Sequence, residues 1–277
     1  MKKILVPTDF SQNAQWAFQL AVEIAQISKG EVLLLHMADL PVVADPVGVS
    51  MHSYLAGEGI TEIQETLRAK LSEFRNSVKT SVAINEIVEW GNIFSGIQEH
   101  VASQHIDLII MGSKGASGIK EILIGSNTEK IVRNSRVPVL TVKEETHISD
   151  IKNIVVGVDL NEDAPEINRQ ITELSDFIGA QIHVVRINTP ANFKRDAEVW
   201  PLLKNWMKKN FPEGTEAHIY NDVYEDLGLI HFAEKINADM IALGTHGKRG
   251  MQHFISGSIA EDIVNHAKRS IWTCVIG

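Results

Sequence analysis

One cysteine, Cys274, stands in 277 residues. No disulfide can close within the chain, so the fold must be held by its cores and hydrogen bonds, a usage that suits a reducing cytoplasm. Cys274 lies in an apolar terminal run and reads as a small core residue. No apolar run approaches the ~20 residues that a membrane-crossing helix needs. The opening Met1-Lys2-Lys3-Ile4-Leu5-Val6-Pro7 has an apolar stretch of three residues, too short for a secretory leader. Positive charge is also scarce: 26 Lys and Arg against 35 Asp and Glu leave a net charge of −9. Nucleic acid and acidic membrane surfaces are therefore set aside as general partners. The Gly-x4-Gly-Lys-Ser/Thr phosphate loop is missing, and so is the Gly-x-Gly-x2-Gly of dinucleotide enzymes after the first strand. No nucleophile–base pair is evident from spacing, so no catalytic residue is assigned. His246 and His253 have no cysteine or carboxylate at ligand spacing, and no protein-built metal site is expected.

What the chain does have is a repeat. Gly112-Ser113-Lys114-Gly115, nine residues, then Gly125-Ser126 recurs as Gly244-Thr245-His246-Gly247, nine residues, then Gly257-Ser258. Three glycines and a Ser or Thr at such offsets should arise by chance in about one chain in a hundred of this length; two at matching places are far rarer. Each copy follows a short apolar run and precedes an amphipathic helical pattern. A Gly-rich turn between a buried strand and a helix is where α/β proteins hold phosphate, because the backbone can approach the anion and the helix's first N–H groups point at it. The bland alternative is that these glycines only turn the chain.

Strand and helix patterns alternate throughout. Ile4-Leu5-Val6 and Val32-Leu33-Leu34-Leu35-His36 read as buried parallel strands. Helical spacing runs through Lys29, with Gly30 as its expected C′ residue. Residues 38 to 58 read as a long loop. After Pro138-Val139-Leu140-Thr141-Val142 and a polar joint at Glu144 to Asp150, the pattern restarts: Ile154-Val155-Val156-Gly157-Val158-Asp159 echoes Ile4-Leu5-Val6-Pro7-Thr8-Asp9. The second half is expected as helix 163–178, strand 181–187, helix 195–209, strand 215–221, helix 225–236, strand 239–243, helix 258–267 and strand 271–276. The expected class is α/β, with two tandem domains at 1–146 and 150–277, each a five-stranded parallel sheet flanked by helices. Hydrophobic residues make up 44% of the chain, enough for two cores. Ligands on such sheets lie past the carboxyl ends of the strands, where the strand order reverses. Asp9 and the first cradle can meet there, as can Asp159 and the second.

Asp9 is placed either to accept hydrogen bonds from a base or ribose or to cap the next helix; Ser11 competes for the cap. The backbone at His36-Met37 could meet a base edge or simply pack. Ser126 opens a helix and could bind a phosphate oxygen, or cap that helix with Glu129 in a capping box. Lys114, Lys120, Lys248 and Arg249 bring local positive charge to an acidic chain.

The Gly-x2-Gly-x9-Gly-Ser pattern, with the Val-Pro-x-Asp-like start, resembles the ATP-binding class of universal stress proteins over nearly the whole chain. The resemblance implies Rossmann-like domains of the adenine nucleotide alpha hydrolase type, ATP or AMP as ligand, Mg²⁺ held only through the phosphates, a stress-response role and an unidentified protein partner. Asp9 and Met37 would lie on the adenine side, Gly112 and Gly115 at ribose and phosphate, and Gly125, Ser126 and Asn127 at the phosphate end. In the second half Asp159, Gly244, Gly247, Gly257, Ser258 and Ile259 match. Departures there include Gly157 for Pro7 and a shorter segment after the second strand, and one or both sites could be filled. Family dimers often pair fifth strands, so Val139–Val142 and Trp272–Val275 are expected to pair within this chain as a pseudo-dimer; a homodimer is also open. The first turn lacks the Ser-Gly-Gly start of enzymes that split ATP to pyrophosphate. A regulatory nucleotide binder with at most slow hydrolysis is preferred to a nucleotidyl-transfer enzyme or a ligand-free scaffold.

Overall fold

The computed structural model describes residues 1–39, 58–113, 125–160, 165–246 and 257–276. In the first half the elements are β1 (Lys3–Pro7), α1 (Gln12–Ser28), β2 (Glu31–Ala38), α2 (Glu58–Asn76), β3 (Ala83–Trp90), α3 (Ile93–Gln104), β4 (Leu108–Gly112), α4 (Ser126–Asn134) and β5 (Val139–Val142). The second half follows with β6 (Asn153–Gly157), α5 (Pro165–Ile178), β7 (Gln181–Asn188), α6 (Asp196–Asn210), β8 (Glu216–Asn221), α7 (Glu225–Lys235), β9 (Met240–His246), α8 (Gly257–His266) and β10 (Ser270–Ile276).

The strands form one ten-stranded sheet in the order β3-β2-β1-β4-β5-β10-β9-β6-β7-β8. Within each half all pairings are parallel. The apolar runs are why: Ile4–Val6, Val32–Leu35, Leu108–Met111, Ile154–Val156 and Met240–Leu243 are buried on both faces, which only a helix-covered parallel sheet provides. α1 turns its buried positions, among them Ala14, Ala17, Phe18, Ala21 and Ala25, onto that sheet.

The halves meet at the antiparallel β5–β10 pair, with Trp272 opposite Leu140. This is the fifth-strand pairing expected from the sequence, and it covers two edges that would otherwise invite association. Thr141 donates its hydroxyl to Ile271 O and Thr273 to Val139 O, each at 3.3 Å, so both buried hydroxyls are satisfied across the seam. The polar joint is also fastened: Glu23 of α1 accepts from Ile148 N at 2.8 Å and contacts His147 Nδ1 at 2.6 Å.

Two repeat devices went unread in the sequence. Asp107 accepts from the backbone N–H groups of Lys2 and Lys3 (2.5 and 3.0 Å), and Asp239 accepts from Lys152 and Asn153 (2.9 and 2.8 Å). Each ties the start of its half's first strand to its fourth. One expectation is corrected: the left-handed residue ending α1 is Lys29 (φ 52°), not Gly30. Gly30 lacks a side chain for a different reason, since a Cβ there would collide with the carbonyl of Lys2.

Candidate functional site

In the first half the strand order reverses between β1 and β4, so their carboxyl ends open a crevice between the connections on either side. The turn leaving β1 forms one wall. Thr8 N–H donates to Leu35 O (2.8 Å), and Thr8 O accepts from His36 Nδ1 (2.8 Å). Asp9 is exposed, and its Oδ1 accepts from Ser11 N at 3.0 Å. The α1 cap is Ser11, whose hydroxyl accepts from Ala14 N; of the two candidates, Asp9 is not the cap.

Phe10, between them, has φ 66°. A bulky residue there is strained and held by its surroundings. Its ring lies 4.4 Å from that of His36 and 5.9 Å from that of Phe74, with Lys70 Nζ 4.4 Å above it. Nothing in the sequence signalled this residue. Leu160, at the matching place, does not have the positive φ.

The other wall is the end of β4. A Cβ at Gly112 would come within 2.8 Å of Asn13 on α1. The glycine is thus required by the helix against it, not by ligand space alone. Gly125 N–H donates to Ser113 O (2.9 Å), and Thr128 Oγ1 donates to Gly112 O (3.0 Å). These bonds fix the start of α4 at the mouth of the crevice. The helix cap is Gly125, with no side-chain hydrogen bond, rather than Ser126 as the capping-box alternative had it. Ser126 and Asn127 are exposed in the first turn. Met37 packs against α3, where a Cβ on Gly96 would lie 2.7 Å from its Sδ. Asp9 follows β1, Gly112 ends β4 and Gly125, Ser126 and Asn127 begin α4, so all five stand at the carboxyl ends of the strands where the order reverses, and Met37 lies near the end of β2. Gly115, Lys114 and Lys120 lie outside the described residues, as do most of the 38–58 segment, Gly247, Lys248, Arg249 and His253.

The second half differs at several comparable points. β9 continues through Gly244, Thr245 and His246, paired with Cys274 to Ile276. A turn expected to begin at Gly244 is strand instead. Gly257 opens α8, with Ser258 and Ile259 in its first turn. Gly157, which stands where the first half has Pro7, faces Leu229 of α7, and a Cβ there would come within 3.0 Å of its Cδ2.

On β7 the residue matching His36 is Arg186. It is 6% exposed, its guanidinium donates to Ile187 O, and it feels the charges of Asp159 and Glu225. Burial pulls its pKa below the usual guanidinium range while those two carboxylates act against the shift. Glu225 Oε1 also accepts from Thr189 Oγ1 and Asn192 Nδ2, both at 2.9 Å. The short segment after β7 is thereby laced to α7 across the side where a base was expected.

The profile described as the universal stress protein family matches residues 1–143 and 207–274. The universal stress protein MJ0577 of Methanocaldococcus jannaschii is 32% identical over 155 residues, covering 52% of this chain and 96% of that protein. A universal stress protein of Archaeoglobus fulgidus has a crystal structure that covers 99% of this chain and 98% of its own at 22% identity, with a TM-score of 0.72. That match spans both halves and speaks to the fold. Another Archaeoglobus fulgidus member, solved with dAMP, covers 46% of this chain and 98% of its own at 22% identity and a TM-score of 0.34, too partial a likeness to bear on this crevice. No described helix is long and apolar enough to cross a membrane.

Proposed function

The chain belongs to the universal stress protein family, and from that premise we propose that its first crevice binds an adenine nucleotide, ATP or AMP, and that the chain acts as a regulatory binding module in stress response. The observation that carries this is the docking of α4. Its first turn, Gly125-Ser126-Asn127, is fixed beside the reversal between β1 and β4 by the Gly125–Ser113 and Thr128–Gly112 bonds. A helix start carries free N–H groups and partial positive charge, and the side chain of Ser126 is not used as a cap. Phosphates would lie there, with the base toward Asp9 and β2. Any Mg²⁺ would ride on the phosphates.

The second crevice is proposed as a non-equivalent site of low or no occupancy. A buried Arg186 stands by Asp159 where the base was expected, and β9 runs straight through Gly244. The family match also omits the stretch that holds Asp159 and Arg186, since it covers residues 1–143 and 207–274. Titration calorimetry of the full chain with ATP or AMP is expected to give about one nucleotide per chain. No binding at millimolar nucleotide would remove the proposal, and two equal sites would remove its second part. Hydrolysis is expected to be slow, because the sequence spacing points to no nucleophile–base pair. Rapid phosphate release from ATP would favour an enzyme instead.

A further inference from the structure

Three side chains gather on the face of the sheet covered by α7, at the end opposite the crevices. β7 and β8 are parallel, with His183 opposite Glu216 and Val185 opposite His218. Glu216 and His218, two apart on one strand, point to the same face as His183. His183 Nδ1 lies 3.2 Å from Glu216 Oε2, and His218 Nε2 lies 3.5 Å from the same oxygen. One ligand atom from each of the three lies within 4.8 Å of the others.

His183 is 9% exposed, and its Nε2–H donates to Asn153 Oδ1 at 3.1 Å. Asn153 is itself anchored through its backbone N–H to Asp239. With the proton on Nε2, Nδ1 presents a lone pair, and it faces a carboxylate oxygen. His183 Nδ1 and His218 Nε2 are both buried, and neither has a well-directed hydrogen bond; each faces Glu216 Oε2 at ion-pair distance instead. Two buried imidazole nitrogens and a carboxylate converging on one point are a donor set for a cation.

We propose that His183, Glu216 and His218 form a binding site for a divalent transition-metal ion of the zinc class. Bonds of 2.0–2.1 Å to a tetrahedral ion put neighbouring ligands about 3.3–3.4 Å apart; the two separations to Glu216 Oε2, 3.2 and 3.5 Å, bracket that value, and the two imidazole nitrogens lie within 4.8 Å of each other. Two imidazoles and one carboxylate suit zinc better than Mg²⁺, which prefers oxygen. Asn153 supplies the outer hydrogen bond that fixes a ligating histidine's tautomer. The fourth position is left for water or an anion.

The cluster belongs to the second half alone. By strand register, Leu33, Asn85 and Ile87 stand where His183, Glu216 and His218 do, and Lys3 where Asn153 does. The expectation of no protein-built metal site looked at His246 and His253; only the β7–β8 register brings these three residues together.

The full chain, stripped with a chelator and dialysed, would be titrated with Zn²⁺ alone by calorimetry and with Co²⁺ followed by visible absorption. One equivalent is expected to bind in the micromolar range or tighter, with Co²⁺ bands of tetrahedral intensity and no comparable uptake of Mg²⁺. His218→Asn and Glu216→Gln, each checked for folding by circular dichroism, should weaken Zn²⁺ at least tenfold while leaving nucleotide binding unchanged. No stoichiometric uptake by the folded wild type, or variants that bind Zn²⁺ as the wild type does, would overturn the proposal. Should a variant fail to fold, the Co²⁺ spectrum of the wild type decides: octahedral, weak bands refute the site.

Discussion

Ser126→Ala separates a phosphate ligand from a structural residue. In this fold the cap of α4 is Gly125 (φ −64°, ψ 137°), with no side-chain cap bond, and Ser126 is the first helical residue, exposed to solvent. Alanine is the better helix former, and an exposed substitution away from caps and cores usually shifts stability by no more than about 0.5 kcal/mol. The fold should therefore be indifferent to the change. A hydrogen bond to a charged phosphate, by contrast, contributes about 1.5–3 kcal/mol, and each 1.4 kcal/mol is tenfold in affinity. ATP and AMP should thus bind roughly ten- to a hundred-fold more weakly to the variant. Paired calorimetric titration and urea unfolding read both quantities. Unchanged affinity would show that no phosphate rests on this hydroxyl. An unfolding free energy lowered by more than about 1.5 kcal/mol would show that Ser126 serves the fold, contrary to the cap geometry.

Gly112→Ala should destabilise the chain by about 1–3 kcal/mol in chemical unfolding, because the added Cβ would lie 2.8 Å from the backbone and Cβ of Asn13; a neutral result would mean that α1 yields easily. Cys274 is buried, its thiol pKa pushed up to about 11 chiefly by desolvation, with Glu166 adding to it. At pH 8 only about one thiol in a thousand would be ionised, so a disulfide reagent should react slowly with native protein and at once in denaturant. The His147 pKa is raised above its ordinary value, first by its hydrogen bond with Glu23 and then by that residue's charge. A raised folded-state value contributes stability that is complete below about pH 6.5 and lost as pH climbs through the folded pKa. Its side chain is 41% exposed, so screening holds the effect to about 1 kcal/mol or less. Glu23→Gln should flatten that part of the stability–pH profile, and an unchanged slope would count against the pair.

Where the sequence was legible, the physics was local or periodic. Val32–Leu35 can be a run of four buried residues only in a sheet covered on both faces, and the second set of such runs declared the tandem copy. The β5–β10 seam was expected from the fifth-strand pairing of family dimers, and the two apolar fifth strands do pair. What escaped was set by tertiary contact. Lys29, not Gly30, takes the left-handed conformation, and a Cβ at Gly30 would collide with Lys2 O. Gly125, not Ser126, caps α4, and its N–H is held by Ser113 O. Phe10 is strained by its packing on His36 and Phe74. Arg186 reads in the sequence as one more charged residue and turns out to be buried beside the expected base position. The His183–Glu216–His218 group needed a strand register that no spacing encodes, although the Glu-x-His step at 216–218 was a clue to a shared face.

The most direct measurement is a crystal structure of the full chain grown with millimolar ATP and Mg²⁺. A nucleotide is expected in the first crevice, its phosphates at the α4 start against Ser126 and its base beside Asp9 and β2, with the second crevice empty or weakly filled. Both crevices free of nucleotide in an otherwise unchanged fold would contradict it.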